Sequence, residues 1–220
     1  MNIQEIYDKE SVGYDSRYKM NIHAIEDMVV EATIRSTYAS GMQVLDVGCG
    51  TGHVLKMLGF PPFNYNGIDI SDGMLKVAQE QHPGHWFFNE SFEEFTGDAH
   101  DIVLAIYGQV NYMGLESFVE AVGKFCSHKF LAVLYSGADN PDCSYTTEHQ
   151  NIYAPSEIYH AFQGSGFKVN IKGLSDNRVK PSSDTLRWLS DQATSTILSS
   201  ARNNNVHYFK YIMVSGELNA

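Results

Sequence analysis

Val44-Leu45-Asp46-Val47-Gly48-Cys49-Gly50-Thr51-Gly52 joins a short apolar run that ends in a carboxylate to three glycines spaced two apart. The pattern predicts a strand turning sharply into a helix around a bound nucleotide. Glycines accept positive φ and let a ligand approach without meeting a Cβ, and the following helix offers free N–H groups and the positive end of its dipole. A dinucleotide-binding loop requires G-x-G-x-x-G, and here the third glycine arrives one residue early, with His53 after it. The spacing therefore argues against NAD.

Outward from this stretch, strands and helices alternate. Ile22, Ile25, Met28, Val29 and Ala32 form an apolar stripe at helical spacing that closes near Gly41. Strands are predicted at 43–47, 65–70, 85–88, 101–107, 130–135, 167–173 and 206–214. Helices are predicted at 51–59, 71–81, 115–126 and 155–163, stopped by Gly59 with Pro61-Pro62, by Pro83-Gly84, and by Gly164 with Gly166. A polar insertion around 182–201 separates the last two strands. The run Asp101 to Tyr107 is continuously apolar after its first residue, as for a strand covered on both faces. This order predicts an α/β fold: one Rossmann-like, seven-stranded, mainly parallel sheet with helices on both faces.

The chain has 220 residues, enough for one sizeable domain, and a net charge of −11 from 15 basic and 26 acidic residues. Nucleic acid is bound mainly by neutralising phosphate, so no nucleic-acid partner is expected. The three cysteines lack CxxC spacing and read as reduced thiols, there is no run of eighteen apolar residues, and the N-terminus lacks a signal-peptide pattern. A cytoplasmic protein without membrane contact is the expectation; the oligomeric state is open.

With these features the sequence resembles the class I S-adenosylmethionine-dependent methyltransferases, of the small-molecule type. Their first motif has the form hydrophobic-hydrophobic-Asp-hydrophobic-Gly-x-Gly-x-Gly, and every fixed position is present at 44–52. Their second motif is similar to Gly67-Ile68-Asp69-Ile70-Ser71. The resemblance implies S-adenosyl-L-methionine as cofactor, a small-molecule methyl acceptor, and an antiparallel C-terminal strand pair. It places Asp46 behind the glycine loop, facing the methionine amino group. Gly48, Cys49 and Gly50 then lie along the methionine part and Asp69 holds the ribose hydroxyls, although Asp69 also suits a cap for the helix at Ser71. Ile70 and Met74 would line the adenine pocket. Asn89-Glu90-Ser91-Phe92 stands where relatives usually have Gly-Asp-Ala-x, so Glu90 substitutes for the acid that bonds the adenine amino group, Ser91 lies beside it, and Phe92 packs either on the adenine or in the core.

The loop after the fourth strand supplies Tyr107, Gln109, Asn111 and Tyr112 at the carboxyl end of the sheet. It lacks the Asn/Asp-Pro-Pro-Tyr/Phe of DNA amino-methyltransferases. Tyr7, Tyr14, Arg17 and Tyr18 fall in residues 1–40, which in similar proteins fold over the cofactor; the plainer alternative is an aromatic staple. His149 beside Glu148 is the leading candidate base, with Tyr107 as a second catalytic candidate and His160 and His53 behind them. Arg178 and Trp188, in a lid insertion at 175–205, are candidate acceptor contacts. Asp139-Asn140 resembles the metal pair of catechol O-methyltransferases, but its partner acid is missing at Tyr107, so no metal is expected. His82 and His85 flank a turn expected to lie far from the site. Methylation of tRNA or protein, or a non-catalytic cofactor-binding module, are the competing functions.

Overall fold

The computed structural model describes residues 2–18, 21–135, 151–176 and 209–219. Seven strands form one sheet: β1 (Val44–Val47), β2 (Tyr65–Ile68), β3 (Trp86–Phe88), β4 (His100–Ile106), β5 (Cys126–Tyr135), β6 (Phe167–Asp176) and β7 (Phe209–Leu218). Their spatial order is β3-β2-β1-β4-β5-β7-β6. Strands β1 to β5 pair in parallel, and β7 runs antiparallel to both β5 and β6. The sheet reverses its winding between β1 and β4, where open α/β folds leave a crevice at the carboxyl ends of the strands.

Helices α1 (Ile3–Glu10), α2 (Asn21–Thr37), α3 (His53–Leu58), α4 (Asp72–Gln81), α5 (Leu115–Phe125) and α6 (Pro155–Ala161) fill the connections described. Alternation along each strand splits the core in two. Leu45, Val47, Val103, Phe130 and Ala132 pack under α5 and α6. Val44, Ile102, Leu104, Leu131 and Val133 pack under α2 and α3. Among the described residues no helix is long and apolar enough to cross a membrane.

The structure departs from the sequence reading at both ends. Residues 3–10 form a helix that no apolar stripe announces. Its start is a capping box, with Glu5 N–H donating to Asn2 Oδ1 at 2.8 Å and Asn2 N–H to the Glu5 carboxylate at 3.2 Å. Strand β5 begins four residues earlier than its apolar run, because Cys126 pairs with His100 in the parallel ladder. Strands β6 and β7 extend beyond the predicted ends, to Asp176 and Leu218. The insertion at 182–201 lies outside the described residues.

Candidate active site

A cleft of about 480 Å³, counting its open mouth, sits over the carboxyl ends of β1, β2 and β4. Gly48, Gly50, Asp69, Ile70 and Met74 form its floor on one side, and Tyr107, Gly108, Gln109 and Tyr112 the other. Ile3, Tyr7 and Tyr14 of the N-terminal segment cover it.

The floor is built by backbone contacts. Both Gly48 and Cys49 donate their N–H groups to the Ile68 carbonyl, at 2.8 and 3.0 Å. Gly48 has φ +69°, and its bare Cα lies against the backbone of Gly108 and Gln109. Gly50, at φ +54°, has no heavy atom within 4 Å of where a Cβ would stand. Its open side is the approach that a ligand requires. Asp69 ties this loop to α4: one carboxylate oxygen accepts from Gly50 N–H at 2.9 Å and the other from Ser71 N–H at 2.8 Å. Burial pushes its carboxyl above the usual carboxylate range, and the hydrogen bonds from Ser71 and Gly50 oppose that. A carboxylate offers about four acceptor positions, so these backbone bonds leave acceptor capacity for a ribose hydroxyl.

Asp46 faces the other way. Alternation puts it on the α2/α3 side, 1% exposed, where its carboxyl accepts from the Tyr65 hydroxyl at 2.7 Å. It is absent from the cleft lining. Burial raises its pKa from 3.8 to about 7, against the downward pull of the Tyr65 hydrogen bond. The native state therefore keeps a proton that the unfolded chain releases. That stabilisation is complete below about pH 3.8 and is lost as pH rises through about 7. Replacing Asp46 with Asn removes the titration, so urea denaturation from pH 4 to pH 8 is expected to show the variant gaining on the wild type by up to ~4 kcal/mol, at ~1.4 kcal/mol per unit. Parallel curves for the two proteins would remove this assignment.

Other predicted residues fall into two groups. Tyr14, Ile70, Met74, Tyr107 and Tyr112 line the cleft with Gly48, Gly50 and Asp69. Cys49, Glu90, Ser91, Phe92 and Asn111 do not. The Cys49 thiol is buried next to the bare Cα of Gly67, and burial raises its pKa, which removes it as a nucleophile. Phe92 is wholly buried among Phe118 and Phe125, with centroids 6.1 and 5.8 Å away, so its ring belongs to the core. Only its N–H turns toward the site, donating to Gln109 Oε1 at 3.0 Å. Ser91 caps a turn by accepting from Glu94 N–H at 3.2 Å. Asn111 is fully buried, its Oδ1 receiving the Tyr135 N–H at 3.0 Å, and clamps the β4 loop to the end of β5. One Glu90 carboxylate oxygen is sealed from water without a hydrogen-bond partner among the described residues.

The turn histidines require a correction. The His82 ring sits against Gly52, within 2.7 Å of where a Cβ would lie, so this residue packs on the glycine motif instead of far from it. His149, Arg178 and Trp188 lie outside the described residues, as does Asp139-Asn140; the side chain of Tyr18 is likewise outside, and its backbone ends a short 3-10 turn. Among the described residues no group of three or more His, Cys, Asp or Glu side chains is placed to hold a metal.

Sequence reasoning missed how the cover is fastened. Asp8 accepts from the Ser71 hydroxyl at 2.6 Å and from Gly73 N–H at 3.0 Å, which docks α1 on the start of α4. Those bonds hold its carboxyl below its ordinary pKa. Asp15 accepts from the Thr51 hydroxyl at 2.6 Å, at the end of the glycine motif. The Tyr7 and Tyr112 hydroxyls meet at 2.6 Å, joining the cover to the loop after β4. The one available sequence signal was the Asn2…Glu5 capping box, which marks a helix where hydrophobic periodicity shows none.

Sheet order, switch-point cleft, glycine floor and the acid after β2 together define an open α/β fold with a ligand-sized cleft at its switch point. A family model described as a methyltransferase domain matches residues 44–128. Over those residues the chain is similar to methyltransferase domains, and the comparisons support a class I S-adenosylmethionine-dependent methyltransferase with S-adenosylmethionine as cofactor. It is 32% identical over 126 residues to an uncharacterized protein of Methanocaldococcus jannaschii, covering 56% of this chain and 47% of that one. It is 26% identical over 214 residues to the O-methyltransferase cnsE of Penicillium expansum, covering 82% and 77%. In fold it is similar to the magnesium protoporphyrin IX methyltransferase of Synechocystis crystallised with bound S-adenosylmethionine, with a TM-score of 0.62, 12% identity and coverage of 100% and 98%. This chain thus spans about half the length of the first of these relatives.

The residues present fit that cofactor. Gly50 leaves open space where a Cβ would obstruct, and Asp69 lines the same cleft with its carboxylate.

Proposed function

We propose that this protein transfers the methyl group of S-adenosylmethionine to a nitrogen or oxygen of a small metabolite. The observation that carries this reading is the covered cleft, which is lined by aromatic and apolar side chains and closed over by Ile3, Tyr7 and Tyr14. An RNA or protein acceptor calls for an open basic groove, and among the described residues no lysine or arginine lines the cleft.

When bound, the cofactor supplies a methyl group already activated by a sulfonium. The chain's own work is to hold and to shield. Asp69 takes the ribose hydroxyls, and Ile70 and Met74 flank the adenine. Residues 2–18 cover the cleft and exclude water, and tyrosine faces suit a sulfonium neighbour. Tyr107 and Tyr112 border the acceptor side. Alignment of nucleophile, methyl carbon and sulfur in one line can contribute several kcal/mol by positioning alone. Cys49 and Cys126, free thiols among the described residues, support our assignment of the chain to the cytoplasm.

Incubation of the protein and methyl-labelled cofactor with a cell extract, divided by size, tests the reading. Label is expected in the low-molecular-weight fraction. Label only in RNA or protein, or none under all acceptor mixtures, would overturn it.

A further inference from the structure

Helix α1 lies over the cleft, where Ile3 and Tyr7 reach the lining, and none of its residues is fully buried. A helix of eight residues is marginal in water by itself, so α1 keeps its place by docking. Its seat is the N-terminus of α4. Asp8 takes both of its bonds there on one oxygen, Oδ1, from the Ser71 hydroxyl at 2.6 Å and from Gly73 N–H at 3.0 Å. Free N–H groups and the positive dipole end suit a helix start to holding a carboxylate.

The seat is shaped as well as charged. A Cβ at Gly73 would lie 2.9 Å from Ser11 Oγ, 3.0 Å from the Asp8 carbonyl oxygen and 3.1 Å from Asp8 Cα. The Asp8 atoms are backbone of α1, so that helix comes this close only because residue 73 has no side chain. Nothing in α4 itself calls for glycine here. Gly73 is not held at positive φ, and alanine is the better helix former. The glycine serves the docking of α1.

The same seat touches the ligand site. Ser71, whose hydroxyl holds Asp8, gives its N–H to the Asp69 carboxylate at 2.8 Å, and Asp69 lines the cleft. Asp8 and Gly73 do not line it. After α1 the chain has a free corner: Val12 is 86% exposed, and Gly13 follows at φ +77°. Beyond the corner Asp15 is tied to Thr51 at 2.6 Å, and Tyr14 belongs to the cleft lining. Elements that open locally are those with few buried side chains and contacts that water can replace.

We propose that α1 is a gate, hinged at Val12-Gly13 and latched by Asp8 in the Ser71–Gly73 seat, whose opening admits and releases the molecule held in the cleft. Asp8 and Gly73 are positioning residues: they set how long the gate stays shut without touching what it encloses. On opening, Ile3 and Tyr7 leave with α1, the Tyr7 hydroxyl parts from that of Tyr112, and Tyr14 stays with the floor. The proposal rests on the methyl-transfer reading only for what passes the gate, S-adenosylmethionine inward and S-adenosylhomocysteine outward.

Hydrogen exchange of the full chain, read by mass spectrometry over residues 3–10, tests the latch without a ligand. Asp8→Ala and Gly73→Ala are each expected to speed exchange there tenfold or more, with residues 74–81 of α4 within twofold of wild type. Asp8→Asn, which keeps Oδ1 as acceptor and loses the charge, is expected to fall between. Rapid filtration with tritiated S-adenosylhomocysteine tests the gate. Entry and exit are both expected to be about tenfold faster in the two alanine variants, so that the Kd moves less than either rate. A fixed wall behaves otherwise, since its loss speeds exit and leaves entry alone. Exchange over residues 3–10 within threefold of wild type in either folded variant, or an entry rate within threefold, would overturn the proposal. The two variants reach the seat from opposite sides, so a folding failure of one leaves the other to decide. If S-adenosylhomocysteine does not bind the wild-type chain, the methyl-transfer reading is what fails, and the exchange comparison still judges the latch.

Discussion

Replacing Asp69 with alanine is expected to raise the Kd for S-adenosylhomocysteine by about 100-fold or more. The carboxylate does two jobs at once. It holds Gly50 and Ser71 by their N–H groups at 2.9 and 2.8 Å, and it lines the cleft with acceptor positions still open. Hydrogen bonds to a charged group contribute about 1.5–3 kcal/mol each, and two of them lost from a ribose amount to ~3 kcal/mol or more, which at ~1.4 kcal/mol per decade gives the factor stated. Asp69→Asn keeps the shape but turns an N–H donor toward a backbone N–H, so it should fall between wild type and alanine. Isothermal titration of the three proteins, with melting curves as the folding control, reads the effect. A Kd within threefold of wild type in a folded alanine variant would contradict the role given to Asp69.

Gly48→Ala and Gly50→Ala should fail in opposite ways, though the two residues are neighbours in one motif. At Gly48 an added Cβ would lie 2.5 Å from the Gln109 nitrogen and 2.9 Å from the Gly108 Cα. Backbone cannot step aside as a side-chain tip can. Overpacking of about 1–3 kcal/mol adds to about 1–2 kcal/mol of left-handed strain, and the melting temperature is expected to fall by about 4–20 °C. At Gly50 nothing lies within 4 Å, so the strain stands alone and the fall should be about 2–8 °C. The Gly50 methyl enters the space a cofactor needs, and S-adenosylhomocysteine binding is expected to disappear from a protein that remains folded. Equal thermal losses in the two variants, or a Gly50→Ala protein with intact binding, would show that the open side of Gly50 does not face the ligand.

These two glycines illustrate how far the sequence was readable. Motif spacing located the strand, the turn and the acid after β2, because those features depend on residues adjacent along the chain. Asp46 shows where that logic stops. Its position at a strand end was plain, but strand parity turns it toward Tyr65 on the α2/α3 side. Alternation with Val44 was available as a signal for this. Loop position put Asn111 at the cleft and left Phe92 open between adenine and core, and contacts with Tyr135, Phe118 and Phe125, distant in sequence, draw both inward. His82 meets Gly52 for the same reason. Helix α1 escaped notice because it is held by Asp8 on Ser71 and Gly73 and not by an apolar stripe. Likewise the polar start of β5 is a strand because β4 lies beside it, as the His100 pairing with Cys126 shows.

The central claim is that the cleft between the glycine motif and the loop after β4 is a site for S-adenosylmethionine and not for a dinucleotide. Calorimetric titration of the wild-type chain with S-adenosylhomocysteine and, separately, with NAD tests it most directly. One equivalent of S-adenosylhomocysteine is expected to bind with a Kd in the micromolar range or tighter, with no heat from NAD at the same concentration. Saturable binding of NAD, or none of S-adenosylhomocysteine, would contradict it.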